Sequence, residues 1–307
     1  MWRRVCRVAA TGGRRRCMAT LSPDDLHLIE AVSHASTVSL EEIRAKQGFI
    51  IDMDGVLYHG SRLLPGASEF VGYLQEQNKS FMFLTNASER APKELQAKLR
   101  RMGIDVSSDH FYTSALATAA FMKKSSPNGG SAYVIGEPGL ISALYDAGFT
   151  MNDHDPEWVV VGETRNYSYE KIEHASNLVR NGARLLGTNC DTKDRMGSGF
   201  VPGCAALIRP IEMVAEVQAY FIGKPNPMIM RTAHQQLGVK RSETIVIGDR
   251  MDTDILGGLQ ANLTTCLVLT GVTKCADVKK FAYRPDIILP TVGSLVPGLQ
   301  VDTTLAH

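Results

Sequence analysis

The sequence predicts an α/β fold built on parallel sheet, and three observations carry that reading. Short apolar runs alternate with stretches of helical spacing, two such series are joined by a polar Gly/Ser/Pro segment, and polar or acidic clusters directly follow several of the runs. In order, residues 1–22 read as a transit peptide or a disordered basic tail. Residues 23–46 read as a helical lead-in, with Leu26, Leu28, Ile29 and Val32 roughly at helical spacing. The first series then runs strand 49–51, helix 67–77, strand 80–84, helix 92–102, strand 110–112 and helix 114–124. Residues 125–130, Ser-Ser-Pro-Asn-Gly-Gly, form the clearest linker. The second series runs strand 132–135, helix 140–147, strand 158–161, helix 169–181 and strand 184–186. A glycine-rich loop with Gly197, Gly199, Pro202 and Gly203 precedes a further helix. Strand 220–222 follows, then helix 228–237, strand 244–247, helix 255–261 and strand 265–269. No tandem repeat is present.

Composition narrows the function. The 307 residues carry a formal charge of +1, but Arg3, Arg4, Arg7, Arg14, Arg15 and Arg16 lie ahead of the first acid, Asp24. Without those six the body is acidic, at about −5. That sign gives no reason to expect a nucleic-acid partner and suits a metal site built from carboxylates. No apolar run approaches the ~20 residues a membrane span needs. The Arg-rich, acid-free start points to mitochondrial import, with a cytoplasmic protein beginning at Met18 as the alternative. The six cysteines, Cys6, Cys17, Cys190, Cys204, Cys266 and Cys275, show no Cys-x-x-Cys pair or metal-ligand spacing, and read as free thiols in a reducing compartment.

Four strand-end segments carry chemistry, because open α/β sheets place ligands at the carboxyl ends of their strands. Asp52-Met53-Asp54-Gly55-Val56 leaves the first apolar run. Two carboxylates at that spacing can share a hard cation, or split as nucleophile and proton exchanger; an Asp/Gly turn is the ordinary alternative. Thr85 and Asn86 follow the second run and can donate to phosphate oxygens, although Thr-Asn also caps helices. Lys224, between Gly223 and Pro225, offers a compact cation. The segment 248–254 brings Asp249, suited to complete a cation's shell, and Asp254, suited to orient Lys224 or a metal-bound water. Asp252 fits a solvated helix start better. Each segment alone is weak or moderate; their order is the stronger signal.

These segments resemble the four motifs of the haloacid dehalogenase superfamily, and the resemblance extends to its NagD-type phosphatases. It rests on Asp52–Leu57, Pro65-Gly66-Ala67, Leu84-Thr85-Asn86, Phe111–Ala115, Val161–Arg165, Gly187-Thr188-Asn189, Gly223-Lys224-Pro225, Gly248-Asp249 and Thr253–Leu256, within residues 47–290. The resemblance implies a Rossmann-like core over 47–126 and 223–300, with an α/β cap inserted at 127–222. It implies Mg2+ as cofactor, Asp52 as nucleophile and ligand, and Asp54 as general acid/base with its main-chain carbonyl on the metal. Asp249 would be the third ligand, Thr85 and Asn86 would hold phosphate oxygens, and Lys224 would neutralise charge. Asn189, Asp191 and Gly203 are the expected cap residues at the substrate. Cys190 departs from the family, which often has proline there. Caps of this type often form homodimers.

The function expected is hydrolysis of a small phosphate monoester, a nucleoside monophosphate or sugar phosphate, through an aspartyl-phosphate. A catalytically silent phosphometabolite-binding protein of the same fold is the alternative. A dehalogenase has no need of Asp54 as proton donor, a transport ATPase carries threonine at that position and spans membranes, and a phosphoacceptor receiver domain spreads its acids over different strands.

Overall fold

The computed structural model describes residues 38–196 and 199–301; the basic segment 1–22 and the lead-in up to residue 37 lie outside them. The described end of the lead-in is a helix, Leu40–Ala45, opened by a reciprocal cap. Ser39 Oγ accepts from the Glu42 N–H and Glu42 Oε2 accepts from the Ser39 N–H.

Strand β1 (Gly48–Ile51) is buried throughout, as a central parallel strand must be. A small hairpin follows, β2 (Tyr58–His59) with β3 (Arg62–Leu63), then β4 (Ser80–Thr85) and β5 (Phe111–Thr113). The chain next builds a second sheet from β6 (Gly130–Ile135), β7 (Phe149–Met151), β8 (Trp158–Val161) and β9 (Arg184–Gly187). The segment read as a glycine-rich loop contains an antiparallel hairpin, β10 (Lys193–Met196) with β11 (Gly199–Pro202). After β12 (Tyr220–Phe221) the chain returns through β13 (Thr244–Gly248), β14 (Thr264–Val268) and β15 (Ile287–Leu289). The sequence reading missed β7 and β15, each three residues long and too short for a periodic signal.

The first sheet has the order β15-β14-β13-β1-β4-β5, all parallel, and the second β12-β9-β8-β6-β7, also parallel. In chain order the first sheet is doubly wound, starting at β1 in the middle and reversing direction between β1 and β13. That is the switch point at which such sheets bind ligands. Side chains alternate between its faces. Phe49, Ile51, Phe83, Ile245 and Ile247 pack with Phe70, Leu74, Leu95 and Leu99 from helices Ala67–Glu76 and Pro92–Arg101. Ile50, Met82, Leu84 and Val246 pack on the other face with Ala115, Met122, Ile229 and Met230 from helices Ser114–Ser125 and Pro227–Leu237. That second cluster continues into Leu140 of helix Pro138–Asp146 and into Trp158 and Val160 of the second sheet, so one apolar core joins the two. The outer face of the second sheet is covered by helices Tyr169–Arg180 and Cys204–Ala215, through Ala175, Leu178, Ile208 and Ile211. The fold is therefore a Rossmann-like parallel sheet with an inserted α/β cap. No described helix is long and apolar enough to cross a membrane.

Candidate active site

Strand register sets the site. Ile51 lies beside Ile247 on one side and Phe83 on the other, so Asp52, Asp249 and Thr85 leave the sheet along one edge. The ladder extends one residue further, with the Asp52 N–H donating to the Ile247 carbonyl at 2.8 Å. Beyond β13 a π-helical turn, Met251–Ile255, folds Asp254 back beneath the strand end, where its Oδ2 accepts from the Arg250 N–H at 3.2 Å. Lys224 arrives from the loop after β12. Its ammonium donates to Asp52 Oδ1 and Asp254 Oδ1, both at 2.7 Å, and to the Leu84 carbonyl at 3.2 Å.

Oxygen atoms of Asp52, Asp249 and Asp254 lie within 4.8 Å of one another. Three buried carboxylates thus face one ammonium. Burial pushes the Asp52 carboxyl up to about 7, with Lys224 opposing and Asp254 adding to the rise. Burial, and then the charges of Asp52 and Asp254, hold Asp249 well above the usual carboxylate range. For Lys224 burial works against the charge, but Asp254 and Asp52 outweigh it and keep the ammonium above its ordinary value. The donors are all oxygen and negative charge is in excess, the conditions that a hard divalent cation relieves.

The loop after β14 closes the site. The Val272 N–H donates to Asp249 Oδ2 at 2.6 Å, and the Thr270 hydroxyl donates to the Gly55 carbonyl at 2.5 Å. Glycine is required at two points of this contact. A Cβ on Gly271 would stand 1.9 Å from Asp249 Oδ2, and one on Gly55, whose φ is +84°, would stand 2.6 Å from Asp249.

Asp54 behaves differently from the other acids. β1 ends at Ile51 and the chain turns at Gly55, so strand alternation does not carry past Asp52. The Asp54 carboxylate stands at the rim, 66% exposed, with Oδ1 3.2 Å from His59 Nδ1. It does not join the buried cluster; Asp254 takes the third corner. The hydrogen bond to Asp54 leads the influences that hold the His59 imidazole above its usual range.

The expected phosphate donors also separate. Thr85 is at the strand end, its Oγ1 accepting from the Ala87 N–H at 3.1 Å. The Asn86 carboxamide is committed elsewhere: Oδ1 accepts from the Lys224 N–H at 2.7 Å, and Nδ2 donates to Asp191 Oδ2 at 2.8 Å and the Lys224 carbonyl at 3.1 Å. Its side chain thereby ties two core loops to the cap.

Of the cap residues, Asp191 reaches the site, pairing with Arg250 at 3.0 Å as well as with Asn86. Asn189 is fully buried. Its Nδ2 donates to Glu163 Oε1 and to the Asn86 carbonyl, so its side chain closes the seam between cap and core. Gly203 supports this loop from behind: its N–H donates to the Thr192 carbonyl at 3.1 Å, and a Cβ there would meet the Asp191 carbonyl. Glu163, whose carboxyl burial pushes up, accepts from Ser88 Oγ at 2.5 Å on the core side. Sequence reasoning assigned no role to Glu163, Ser88, Arg250, His59 or the Thr270–Thr273 loop. The one available signal was the place of Glu163 within Val161–Arg165.

Comparison with known proteins agrees with this geometry. The sequence matches the family described as haloacid dehalogenase-like hydrolase over residues 49–150, and a HAD-hydrolase-like family over residues 221–295. A dihydroxyacetone phosphatase of Corynebacterium glutamicum is 42% identical over 247 residues, 80% of this chain and 90% of its own. An acid sugar phosphatase of Staphylococcus saprophyticus is 37% identical over 255 residues, 83% of this chain and 98% of its own. The ribonucleotide monophosphatase NagD of Escherichia coli K12 is 41% identical over 246 residues, 80% of this chain and 96% of its own. A solved structure of NagD from Escherichia coli K-12 superposes with a TM-score of 0.76 at 40% identity, covering 81% of this chain and 98% of that one.

Proposed function

The chain belongs to the haloacid dehalogenase-like hydrolases, among their NagD-type phosphatases, and from that membership we propose that it hydrolyses small phosphate monoesters through an aspartyl-phosphate on Asp52, with Mg2+ as cofactor. The observation that carries this reading is the charge-imbalanced cluster of Asp52, Asp249, Asp254 and Lys224 at the switch point of the sheet. Sugar phosphates, triose phosphates and nucleoside monophosphates are the substrate classes, by analogy with the three relatives.

Asp52, the least buried acid of the cluster, attacks phosphorus in line; its carboxylate oxygen gains the P–O bond as the bond to the leaving oxygen breaks. Asp54, at the solvent-facing rim, gives its proton to that leaving oxygen and then takes one from the water that attacks the aspartyl-phosphate. Phosphate departs and Asp52 is regenerated. Lys224 holds Asp52 Oδ1 and places a positive charge beside the phosphoryl group, while Thr85 presents its hydroxyl from the adjacent strand end. Asp52, Asp249 and the Asp54 main-chain carbonyl, with Asp254 beside them, would hold Mg2+, which when bound would supply positive charge to offset the phosphoryl oxygens. The cap loop around Asp191 bounds the leaving-group side. A cap-mediated homodimer and import directed by residues 1–22 complete the reading.

The test is phosphate release by the chain starting at Met18, across a panel of phosphate monoesters with and without Mg2+. Release that requires Mg2+ and disappears in Asp52→Asn is expected. Release from no member of the panel would favour the silent phosphometabolite-binding alternative.

A further inference from the structure

His59 is held at one end of its ring by Asp54 and at the other by the loop that closes the site, although the mechanism leaves it without a task. Nε2 lies 2.8 Å from the Thr270 carbonyl and Nδ1 lies 3.2 Å from Asp54 Oδ1. A carbonyl oxygen only accepts, so the Nε2–H is the donor and the ring orientation is fixed from that side. The receiving loop is itself anchored, through the Thr270 hydroxyl on the Gly55 carbonyl and the Val272 N–H on Asp249. From the other direction, the Gly55 N–H donates to the Tyr58 carbonyl at 2.9 Å and the β2–β3 hairpin pairs His59 with Arg62, which turns the ring back over Asp54.

Asp54 needs such a partner. Its carboxylate is mostly exposed, and among the described residues His59 is the only side chain bonded to it. A general acid must sit within about 2.6–3.2 Å of the oxygen it protonates, and an exposed aspartate free about its side-chain torsions spends much of its time elsewhere. We propose that His59 is a positioning residue for the leaving-group step: with Nε2–H on the Thr270 carbonyl, its Nδ1–H donates to Asp54 Oδ1, and the proton given to the departing oxygen leaves from Asp54 Oδ2. His59 touches no reacting atom, and it acts only through Asp54. This inference rests on the reading of Asp54 as general acid/base.

The test compares phenyl phosphate with p-nitrophenyl phosphate, which are alike in size but differ in how much their departing oxygen needs a proton. The quantity measured is kcat/KM, which for a covalent intermediate reports the first transfer and not the later hydrolysis. For His59→Ala, kcat/KM for phenyl phosphate is expected to fall about tenfold or more, against a change within about twofold for p-nitrophenyl phosphate. His59→Asn, which keeps a polar group at the Nδ1 position, is expected to recover part of the loss. In an Asp54→Asn background, His59→Ala is expected to cost nothing further. The ring is 44% exposed at the side chain, so all variants are expected to melt with the unaltered protein. Equal losses on both substrates, or an undiminished loss in the Asp54→Asn background, would show that His59 only staples the hairpin. Two other results reach further back. If Asp54→Asn shows no leaving-group dependence, the acid/base reading fails, and His59 loses its role with it. If the unaltered protein releases phosphate from neither ester nor from the panel, the phosphatase reading fails.

Discussion

Two buried polar clusters lie a few residues apart, and they are built on opposite principles. In the core, Asp52, Asp249 and Asp254 crowd about one ammonium that, among them, bonds only Asp52 and Asp254, and burial together with mutual repulsion raises the carboxyls of Asp52 and Asp249. At the seam with the cap, each acid is matched. Glu163 accepts from Ser88 and Asn189, and Asp191 is met by Arg250 and Asn86. The seam is complete within the chain. The core carries more negative than positive charge, the condition that a bound cation would relieve. A buried acidic cluster therefore signals function by its imbalance, and a balanced one signals a brace.

The largest effects should fall on the unbalanced cluster. Asp52→Asn is expected to lower turnover by ~10⁴-fold or more, as loss of a nucleophile does. Its fold should persist, and without divalent cation at pH 8 the variant should be the more stable protein. The reason is the sign of the Asp52 shift: a carboxyl raised to about 7 loses stabilisation as pH climbs from its unfolded value near 3.8 through 7, so the loss is complete at pH 8, and asparagine does not ionise. Urea unfolding at pH 8 in EDTA measures it; a strongly destabilised variant would show that the Lys224 contact outweighs the repulsion. Lys224→Met should behave in the opposite way. It leaves Asp52 and Asp254 buried without their common partner and is expected to cost about 3–5 kcal/mol of stability as well as activity. A loss under ~1 kcal/mol would mean that the acids take up protons at little cost once the ammonium is gone.

Metal binding sharpens the same contrast. Asp52 and Asp249 hold protons more tightly than ordinary carboxylates, and a cation can bind only as those protons leave. The rise in melting temperature on adding Mg2+ is expected to be large above pH 7 and to shrink as pH falls below it. A Mg2+ effect of equal size at pH 5.5 and 8 would separate cation binding from these two groups.

How much of this could be read in the sequence follows the same division. The central strands were legible because a strand buried on both faces must be an unbroken apolar run, as in Phe49–Ile51 and Ile245–Ile247. Once those were placed, Asp52, Thr85, Lys224 and Asp249 followed from where open sheets bind ligands. Asp54 lies two residues past Asp52 in sequence, but β1 ends before reaching it, so its carboxylate stands at the rim and not in the buried cluster. The Thr270–Thr273 loop escaped notice because it acts through a backbone N–H and a missing Cβ, features that residue type does not advertise. Its strand was foreseen; its task was not. The hairpin β10–β11 was hidden by Gly199 and Pro202, which depress strand propensity at an exposed edge. The seam is not legible in the sequence, since Glu163, Ser88 and Asn189 come from three distant segments and meet only through the packing of the cap on the core.

The smallest expected effect tests whether the seam is as self-contained as its contacts indicate. Glu163 sits almost without solvent, and burial raises its carboxyl even though Asn189 and Ser88 both donate to it. A carboxyl raised in the folded state binds its proton more tightly there than in the unfolded chain. Its contribution to stability is complete below the unfolded value near 4.5 and is lost as pH rises through the folded one. Glu163→Gln keeps the shape: Oε1 still accepts from Asn189, and the Ser88 hydroxyl can rotate to accept from the new amide. With no charge to bury, the variant should match the unaltered protein at pH 4 and gain on it steadily toward pH 8. Urea midpoints at four or five pH values, with kcat/KM measured alongside, check both halves. Because the seam is a brace, kcat/KM for p-nitrophenyl phosphate should stay within about twofold throughout. A stability difference that does not grow with pH would show that Glu163 keeps its charge in the folded protein. The seam would then share the imbalance of the core, and the distinction between the two clusters would fail.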